Sequence, residues 1–529
     1  MVNIEQQLLD SNAYPDNVAQ VEHIQTHISH IFLAGNYAYK IKKPLNLGFL
    51  DFSTLDKRQH FCKEELRLNS RLADAIYIDV VPIMYRNGKI LVLNKNNSNS
   101  QDIVEYAVRM HRFDTDMELD QLLEDNTKKI WKDNWIDEIS SRVAEFHAKV
   151  AIAQVKSNYG KPKAILSFAL ENFIQIKQHV HHQAIIKTVE QLNEWTQAQF
   201  NHLSNTMNSR RANGFIRECH GDMHLANMVY WQNKVQIFDG IEFNDSLRWI
   251  DVISEISFLF MDLEARERSD LAWRFLNDYL STTGDYAGLE LFNFYLVYRA
   301  CVRAKVMSIR SKQLDNTKQQ KDSLAQVRHY LRLADSYTDL SQVSVIMLHG
   351  LSGSGKSTIA AKLVQKLKAI WIRSDVERKR LFGHFKGIPA SLLLQGNMYT
   401  SKVTIQTYQR LLDLAKTITQ SGYSVVVDAT FLQVKHRQMF YQAFDEIGIP
   451  ITILDFQVEK HELQSRVHKR SKEKNNISDA DVSILEQQFH SLEPIEDSEG
   501  ATVLSVDANT TLDSNEVINK IYNSINETH

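Results

Sequence analysis

The sequence predicts two folds in series: a two-lobed α+β domain, then an α/β domain built on a parallel sheet. Short strand-like runs cluster before position 111 and give way to a long stretch of helical periodicity. Beyond about position 341, apolar strand-like runs alternate with helical ones. A glycine-rich octet, Gly350-Leu-Ser-Gly-Ser-Gly-Lys-Ser357, follows the first of those later strands. A length of 529 residues exceeds what one ordinary core needs, which agrees with two domains.

In the first domain, 27–34 and 37–43 read as a hairpin around Gly35-Asn36. Residues 54–73 read as a helix, with Leu55, Phe61, Leu66, Leu68 and Leu72 apolar among charged neighbours. Strands are expected at 77–84, 89–94 and 104–110, then briefly at 227–231 and 235–238, with helices elsewhere to about 334. The polar stretch 311–341 reads as a terminal helix and linker, dividing the chain into domains 1–335 and 340–529. In the second domain strands are expected at 343–348, 369–373, 424–428, 451–457 and 502–506, with helices on both faces of the sheet. The two halves do not resemble each other and no internal repeat is visible.

Composition narrows the class. A hydrophobic fraction of 43% is ordinary for a soluble globular chain, and a net charge of −3 suggests no polyanionic partner. The start, Met1-Val-Asn-Ile-Glu-Gln-Gln, lacks the basic and apolar regions of a signal peptide. No apolar run reaches the roughly 18 residues of a membrane span. Cys62, Cys219 and Cys301 are far apart and form no metal-ligand motif, so reduced, partly buried thiols in a cytoplasmic protein are expected.

Phosphoryl transfer needs a positioned hydroxyl, neutralised phosphates and bound Mg²⁺. His220-Gly221-Asp222, with Asn227 five residues after Asp222, has the spacing for it. Asp222 would accept or orient the acceptor hydroxyl proton, and Asn227 would bind Mg²⁺. Asp239, in Ile237-Phe238-Asp239-Gly240 at a strand end, stands where a second metal-binding carboxylate belongs. The arrangement resembles the aminoglycoside phosphotransferase superfamily, with its protein-kinase-like fold, over most of residues 20–310. The shared signature is His-Gly-Asp in place of His-Arg-Asp. The resemblance implies that Lys40 holds the ATP phosphates, that Glu65 pairs with it from the next helix, and that 108–110 form the inter-lobe hinge. Lys42 faces the same side of the strand, so the choice between Lys40 and Lys42 stays open. A solvated basic edge strand is the plainer reading of both. No glycine-rich triplet precedes Lys40, so phosphate coverage departs from that of protein kinases.

The second motif is a P-loop. Gly350, Gly353 and Gly355 let backbone amides approach phosphates, with Ser352, Ser354 and Thr358 in the same loop and helix start. Lys356 would contact the β/γ-phosphates and Ser357 would reach Mg²⁺, at the positive end of the following helix. Val425-Val-Val-Asp428 ends in a carboxylate suited to the Mg²⁺ shell and lacks the following Glu of a mechanical ATPase. Arg466 and Arg470, four apart on a helix, share a face and would form a lid over the transferring phosphate. An ordinary solvated face is the alternative. This set resembles small P-loop kinases related to polynucleotide kinase, gluconate kinase and zeta toxins, across 343–510. That resemblance implies Asp375 as general base and Arg378 and Arg437 as substrate contacts. A helix N-cap is the plainer role for Asp375.

The order of the two parts resembles a bacterial family described as bifunctional aminoglycoside phosphotransferase-like/ATP-binding proteins. Fold and motif point to phosphoryl transfer and leave the acceptor open. The expectation is a cytoplasmic, ATP- and Mg²⁺-dependent kinase with two nucleotide sites and small-molecule hydroxyl acceptors. One active kinase switched by a nucleotide-sensing domain is the runner-up. A polynucleotide or RNA-end kinase ranks lower, since basic residues occur only in short clusters such as Arg378-Lys379-Arg380. Arg299, Arg303 and Arg310 fall within about 40° on a helical wheel, a stripe that would repel polycationic aminoglycosides and favour a neutral or anionic acceptor. A solvated helix face is again the alternative. Oligomeric state and ATP-versus-GTP preference are not legible.

Two complete sets of metal ligands on separate folds should act independently. Asp222→Asn should stop transfer in the first domain and leave nucleotide binding in the second, and Lys356→Ala should do the reverse. Equilibrium nucleotide binding checks this, and loss at both sites from either change contradicts it.

Overall fold

Why the first 111 residues alternate becomes plain in a computed structural model, which describes residues 3–48, 50–94, 102–124, 130–314, 316–339, 342–382, 401–470, 482–496 and, with interruptions, 499–525. The chain forms two compact units, Met1–Arg266 with Phe294–Asp335, and Glu267–Asn293 with Ser336–His529.

The first unit begins with α1 (Ile4–Gln7), β1 (Val21–Gln25), β2 (Ser29–Ala34), β3 (Tyr37–Lys42) and α2 (Leu55–Asn69). β4 (Tyr77–Arg86), β5 (Lys89–Val92) and β6 (Ile103–His111) complete a six-stranded sheet in the order β1-β2-β3-β6-β4-β5. All its pairings are antiparallel. The N-terminal segment covers one face, where Leu8, Tyr14 and Val18 pack with Phe32, Tyr39 and Ile41. Helix α2 covers the other, where Cys62 packs with Ala38, Tyr77, Val108 and Met110. The Thr54 hydroxyl starts α2 by accepting the Lys57 N–H. Side chains alternate along a strand, so Lys40 and Lys42 project with Ala38 toward α2.

The chain then turns helical through α3 (Leu119–Glu124), α4 (Asn134–Lys149), α5 (Pro162–His179) and α6 (Gln183–Ala212). Two small ribbons follow. β7 (Ile216–Glu218) pairs with β10 (Trp249–Asp251), and β8 (Met228–Trp231) pairs with β9 (Lys234–Ile237). The loops between them carry the His-Gly-Asp segment and Asp239. Next come α7 (Asp245–Arg248), α8 (Val252–Ala265), α9 (Ser269–Thr283), α10 (Phe292–Gln313) and α11 (Thr317–Ser336).

One expectation needs correction here. Residues 108–110 are not a hinge. They lie inside β6, with Val108 and Met110 buried against α2. The terminal helix expected within 311–341 is present as α11 and takes up most of the stretch, leaving little of it as linker. Helix α11 buries Val327, Tyr330, Leu331 and Ala334, and Ser323 Oγ donates to Met307 O at 3.1 Å. Its polar residues are the solvated face of an amphipathic helix. All three cysteines are buried and unpaired.

In the second unit β11 (Val345–His349), α12 (Lys356–Leu367), β12 (Ile370–Arg373), α13 (Ser374–Phe382), α14 (Ser401–Gln420) and β13 (Val425–Asp428) are followed by α15 (Val434–Asp445), β14 (Ile451–Gln457), α16 (Lys460–Arg470), α17 (Val482–Ser491) and β15 (Thr502–Asp507). The sheet runs β12-β13-β11-β14-β15, parallel throughout. Its strands are apolar because both faces are covered. Ile346, Leu348, Val426 and Leu454 pack with Ile359 and Leu363 of α12 on one side.

Helix α9 precedes this unit in sequence yet packs on α12 and β12. Asn277 Nδ2 donates to Ala369 O at 3.0 Å, and its Oδ1 accepts the Trp371 N–H at 2.7 Å. An edge strand leaves such groups open, and one carboxamide pairs both. Segment 267–293, assigned by sequence to the first domain, therefore groups with the second unit. We predict that Asn277→Ala lowers the unfolding free energy by about 2 kcal/mol, by stranding a buried backbone donor and acceptor. Urea unfolding of the intact protein, followed by far-UV circular dichroism, checks the loss.

Candidate active sites

The first site is assembled around buried carboxylates. Glu65, on the inner face of α2, has a side chain only 1% exposed and sits between two lysines. Lys40 Nζ lies 2.8 Å from Glu65 Oε1 and 2.5 Å from Asp239 Oδ1. Lys42 Nζ lies 2.7 Å from Glu65 Oε2 and also pairs with Glu242. Burial opposes an ammonium at Lys40, but the Asp239 and Glu65 carboxylates outweigh it and hold its pKa well above the usual value. Burial likewise works against the Glu65 anion, and the two lysines reverse the balance, leaving its pKa low. The three sequence-identified residues Lys40, Glu65 and Asp239 thus meet.

The His-Gly-Asp loop lies beside Asp239, joined to its segment by backbone bonds. Phe238 N–H donates to Asn227 O at 2.9 Å, and Ile241 N–H to His220 O at 2.9 Å. His220 Nε2 bonds Phe238 O at 2.8 Å, and Asp222 N–H reaches His220 Nδ1 at 3.3 Å, which fixes the ring as the Nε2–H tautomer. Asn227 Nδ2 donates to Asp222 O at 2.9 Å and to Asp222 Oδ2 at 3.1 Å, leaving its own Oδ1 as a hard oxygen donor. Burial pushes the Asp222 carboxyl up, but His224, by charge and hydrogen bond, and the Arg303 charge outweigh it and hold the group well below the usual range. Gly221 has φ +89°, and a Cβ there would stand 2.8 Å from Leu247 O, so no other residue fits this turn.

Sequence reasoning missed what holds this loop. Glu255, fully buried on α8, accepts the His220 N–H at 2.6 Å and the Gly221 N–H at 2.9 Å. About two helical turns on, Asp262 accepts the Leu225 N–H at 3.0 Å. Two acids on one face of a strongly apolar helix were the available signal. The arginine stripe divides. Arg299 is buried and bonds Gly221 O at 3.2 Å and Ser254 O at 3.1 Å, supporting the loop from within. Arg303 sets its charge near Asp222, and Arg310 is exposed.

The second site lies at the carboxyl ends of the parallel strands. Gly350 to Ser357 form the turn from β11 into α12, and Lys356 Nζ folds back onto Gly350 O at 2.7 Å, Leu351 O at 2.8 Å and Ser354 Oγ at 3.2 Å. Ser357 Oγ bonds Asp428 Oδ2 at 2.7 Å, while Ser357 and Thr358 are otherwise exposed at the helix start. Burial raises the Asp428 pKa, and the Ser357 hydrogen bond opposes it. Gly353, at φ +89°, lies against Leu463 and Val467 of α16. Gln488 of α17 accepts the Ser352 N–H at 2.9 Å and donates to Ser352 Oγ at 3.0 Å, a tether from far along the chain that no motif announces. Asp375 lies in the first turn of α13, 3.8 Å from the buried Arg378.

Arg437 is a correction. It is fully buried, its Nε and Nη2 lie 2.7 Å from Glu499, and its remaining donors reach Phe431 O, Glu493 O and Pro494 O. It staples a turn and offers nothing to an acceptor. Arg466 bonds Glu462 at 2.6 Å and Ala508 O at 2.9 Å. The Arg470 side chain lies outside the described residues.

Each donor set suits a hard divalent cation and a polyphosphate: Asn227 and Asp239 in one unit, Ser357 and Asp428 in the other, each beside an ammonium. Residues 345–495 match the family model described as "AAA domain". Three uncharacterized proteins, from Mycobacterium bovis and two strains of Mycobacterium tuberculosis, are 28% identical over 409 residues, spanning 77% of this chain and 78% of theirs. Among solved structures, a Plasmodium vivax ethanolamine kinase is 10% identical, covering 60% of this chain and 84% of its own with a TM-score of 0.37. A Cryptosporidium parvum choline kinase is 13% identical, covering 62% and 93% with a TM-score of 0.36. A Sinorhizobium meliloti gluconokinase is 19% identical, covering 36% and 99% with a TM-score of 0.24. Among the described residues no helix is long and apolar enough to cross a membrane.

Arg437→Ala should lower stability by about 3–5 kcal/mol, because it strands Glu499, and leave the KM of any acceptor unchanged. Denaturant unfolding beside steady-state kinetics separates the two, and a KM change in a protein of normal stability would restore an acceptor role.

Proposed function

We propose that the chain is an ATP- and Mg²⁺-dependent phosphotransferase with two nucleotide sites, each passing a phosphoryl group to a hydroxyl of a small molecule. The observation that carries this reading is the pairing, in each unit, of an ammonium with oxygen donors: Lys40 with Asp239 at 2.5 Å, and Lys356 on the P-loop carbonyls beside the Ser357–Asp428 bond at 2.7 Å. Bound Mg·ATP would supply the transferable phosphoryl group and its charge neutralisation.

In the first unit Asp222 orients the acceptor hydroxyl and takes its proton. Lys40 binds the nucleotide phosphates, while Asn227 and Asp239 are the metal-holding pair. Arg303 sets positive charge near Asp222, which favours a neutral or anionic acceptor over a polycation. In the second unit Lys356 and the loop amides hold phosphates, Ser357 and Asp428 face the metal, and Asp375 with Arg378 serves the acceptor. Beside the P-loop, the Asp375 carboxylate near Asp428 supports transfer over a purely regulatory second domain.

The test is a screen of a metabolite extract with Mg·ATP, followed by ³¹P NMR and mass spectrometry. Wild type should yield new phosphate esters. Asp222→Asn should remove one set and Lys356→Ala another. If Lys356→Ala removes every product and Asp222→Asn none, the first unit is not a kinase. If both variants keep all products, neither site is catalytic.

A further inference from the structure

A single lysine–carboxylate pair would suffice to present Lys40 to a phosphate, yet the first unit builds two such pairs on one carboxylate. The two oxygens of Glu65 are divided between Lys40 at 2.8 Å and Lys42 at 2.7 Å. The lysines are not equivalent. Lys40 has its second partner in Asp239, whose side chain is 47% exposed. Lys42 has no exposed side-chain surface, and its second partner, Glu242, is 4% exposed. The Phe52 ring lies 4.9 Å from the Lys42 ammonium and closes that side.

This difference decides which lysine is free to act. When Lys40 turns to a ligand's phosphate, Asp239 is left to solvent or a cation, and Glu65 keeps its charge partner in Lys42. If Lys42 turned instead, Glu242 would be left buried without its ion-pair partner, the costly arrangement for a buried pair. Glu242 is itself fixed. It follows Asp239 by three residues, Gly240 N–H is held by Asn69 Oδ1 at 2.7 Å, and Glu242 O accepts from Arg248 at 3.1 Å. The Lys42–Glu242 contact therefore ties the segment bearing Asp239 to strand β3, which bears Lys40.

Resting on the phosphotransferase reading of this unit, we infer that Lys42 and Glu242 are positioning residues: they keep Glu65 charged and the Asp239 segment in register with β3 while Lys40 engages the nucleotide. Neither touches the nucleotide.

The first test needs no substitution. An ATP acyl-phosphate probe, which acylates lysines lying at the bound phosphates and releases ATP, is applied with Mg²⁺ to the wild-type chain and followed by peptide mass spectrometry. Labelling of Lys40 and Lys356 without Lys42 is expected. Labelling of Lys42 overturns the inference. Labelling of Lys356 alone means the first unit holds no nucleotide, which overturns the underlying reading as well. The second test measures Mg·ATP-analogue affinity in a Lys356→Ala background. Lys42→Met should weaken binding at least tenfold, and adding Glu242→Gln, which removes one stranded charge but leaves Glu65 without its second lysine, should restore at least threefold of that loss. Lys40→Met should weaken binding at least tenfold with no rescue by Glu242→Gln. A Lys42→Met/Glu242→Gln protein that melts like its parent but binds no more tightly than Lys42→Met alone would show that Lys42 is a direct contact.

Discussion

A carboxylate sealed from water must have its charge met by the protein, and in the first unit that demand falls on Glu65. Its position on α2 requires cations on the facing strand, and the period of two along β3 sets Lys40 and Lys42 on that face. The same demand extends outward through Asp239 and Glu242, so one charge problem connects α2, β3 and the segment after β9. Glu255 repeats the device with backbone amides in place of lysines, and Glu377 repeats it in the second unit, where it is fully buried between Arg380 at 3.1 Å and Arg410 at 3.3 Å. Buried acids, more than surface ion pairs, decide where the functional loops stand.

Short motifs were legible because their chemistry is local. A P-loop needs particular glycines within eight positions, and Asp222, Asn227 and Asp239 sit at intervals set by one loop and one ribbon. The strands of the parallel sheet were legible too, since both faces are covered and their sequences are nearly all apolar. What escaped depends on partners remote in sequence. Arg437 looks like a free cation until Glu499 arrives, and Gln488 has no meaning without Ser352. Strand β1 escaped for another reason: all its residues after Val21 are exposed, so Val-Glu-His-Ile-Gln carries no buried alternation to mark a strand.

The polar run before the second unit shows the limit of composition. Lys, Gln and Asp in succession look the same in a linker and on the wet side of a helix. Only the spacing of Val327, Tyr330, Leu331 and Ala334 separates the two. The boundary between the units is set instead by α9, whose apolar face had no assigned destination.

The placement of α9 has a consequence for synthesis. Its buried residues, among them Leu271, Phe275, Leu276 and Leu280, leave the ribosome well before α12 and β12, on which the helix packs, exist. At about 5–20 residues per second, the delay is on the order of ten seconds. The first unit cannot close in one continuous pass either, because α10 and α11 follow the excursion. Nascent chains of intermediate length therefore expose a sticky helix with no partner, and that stretch of translation is where a holdase chaperone would matter most.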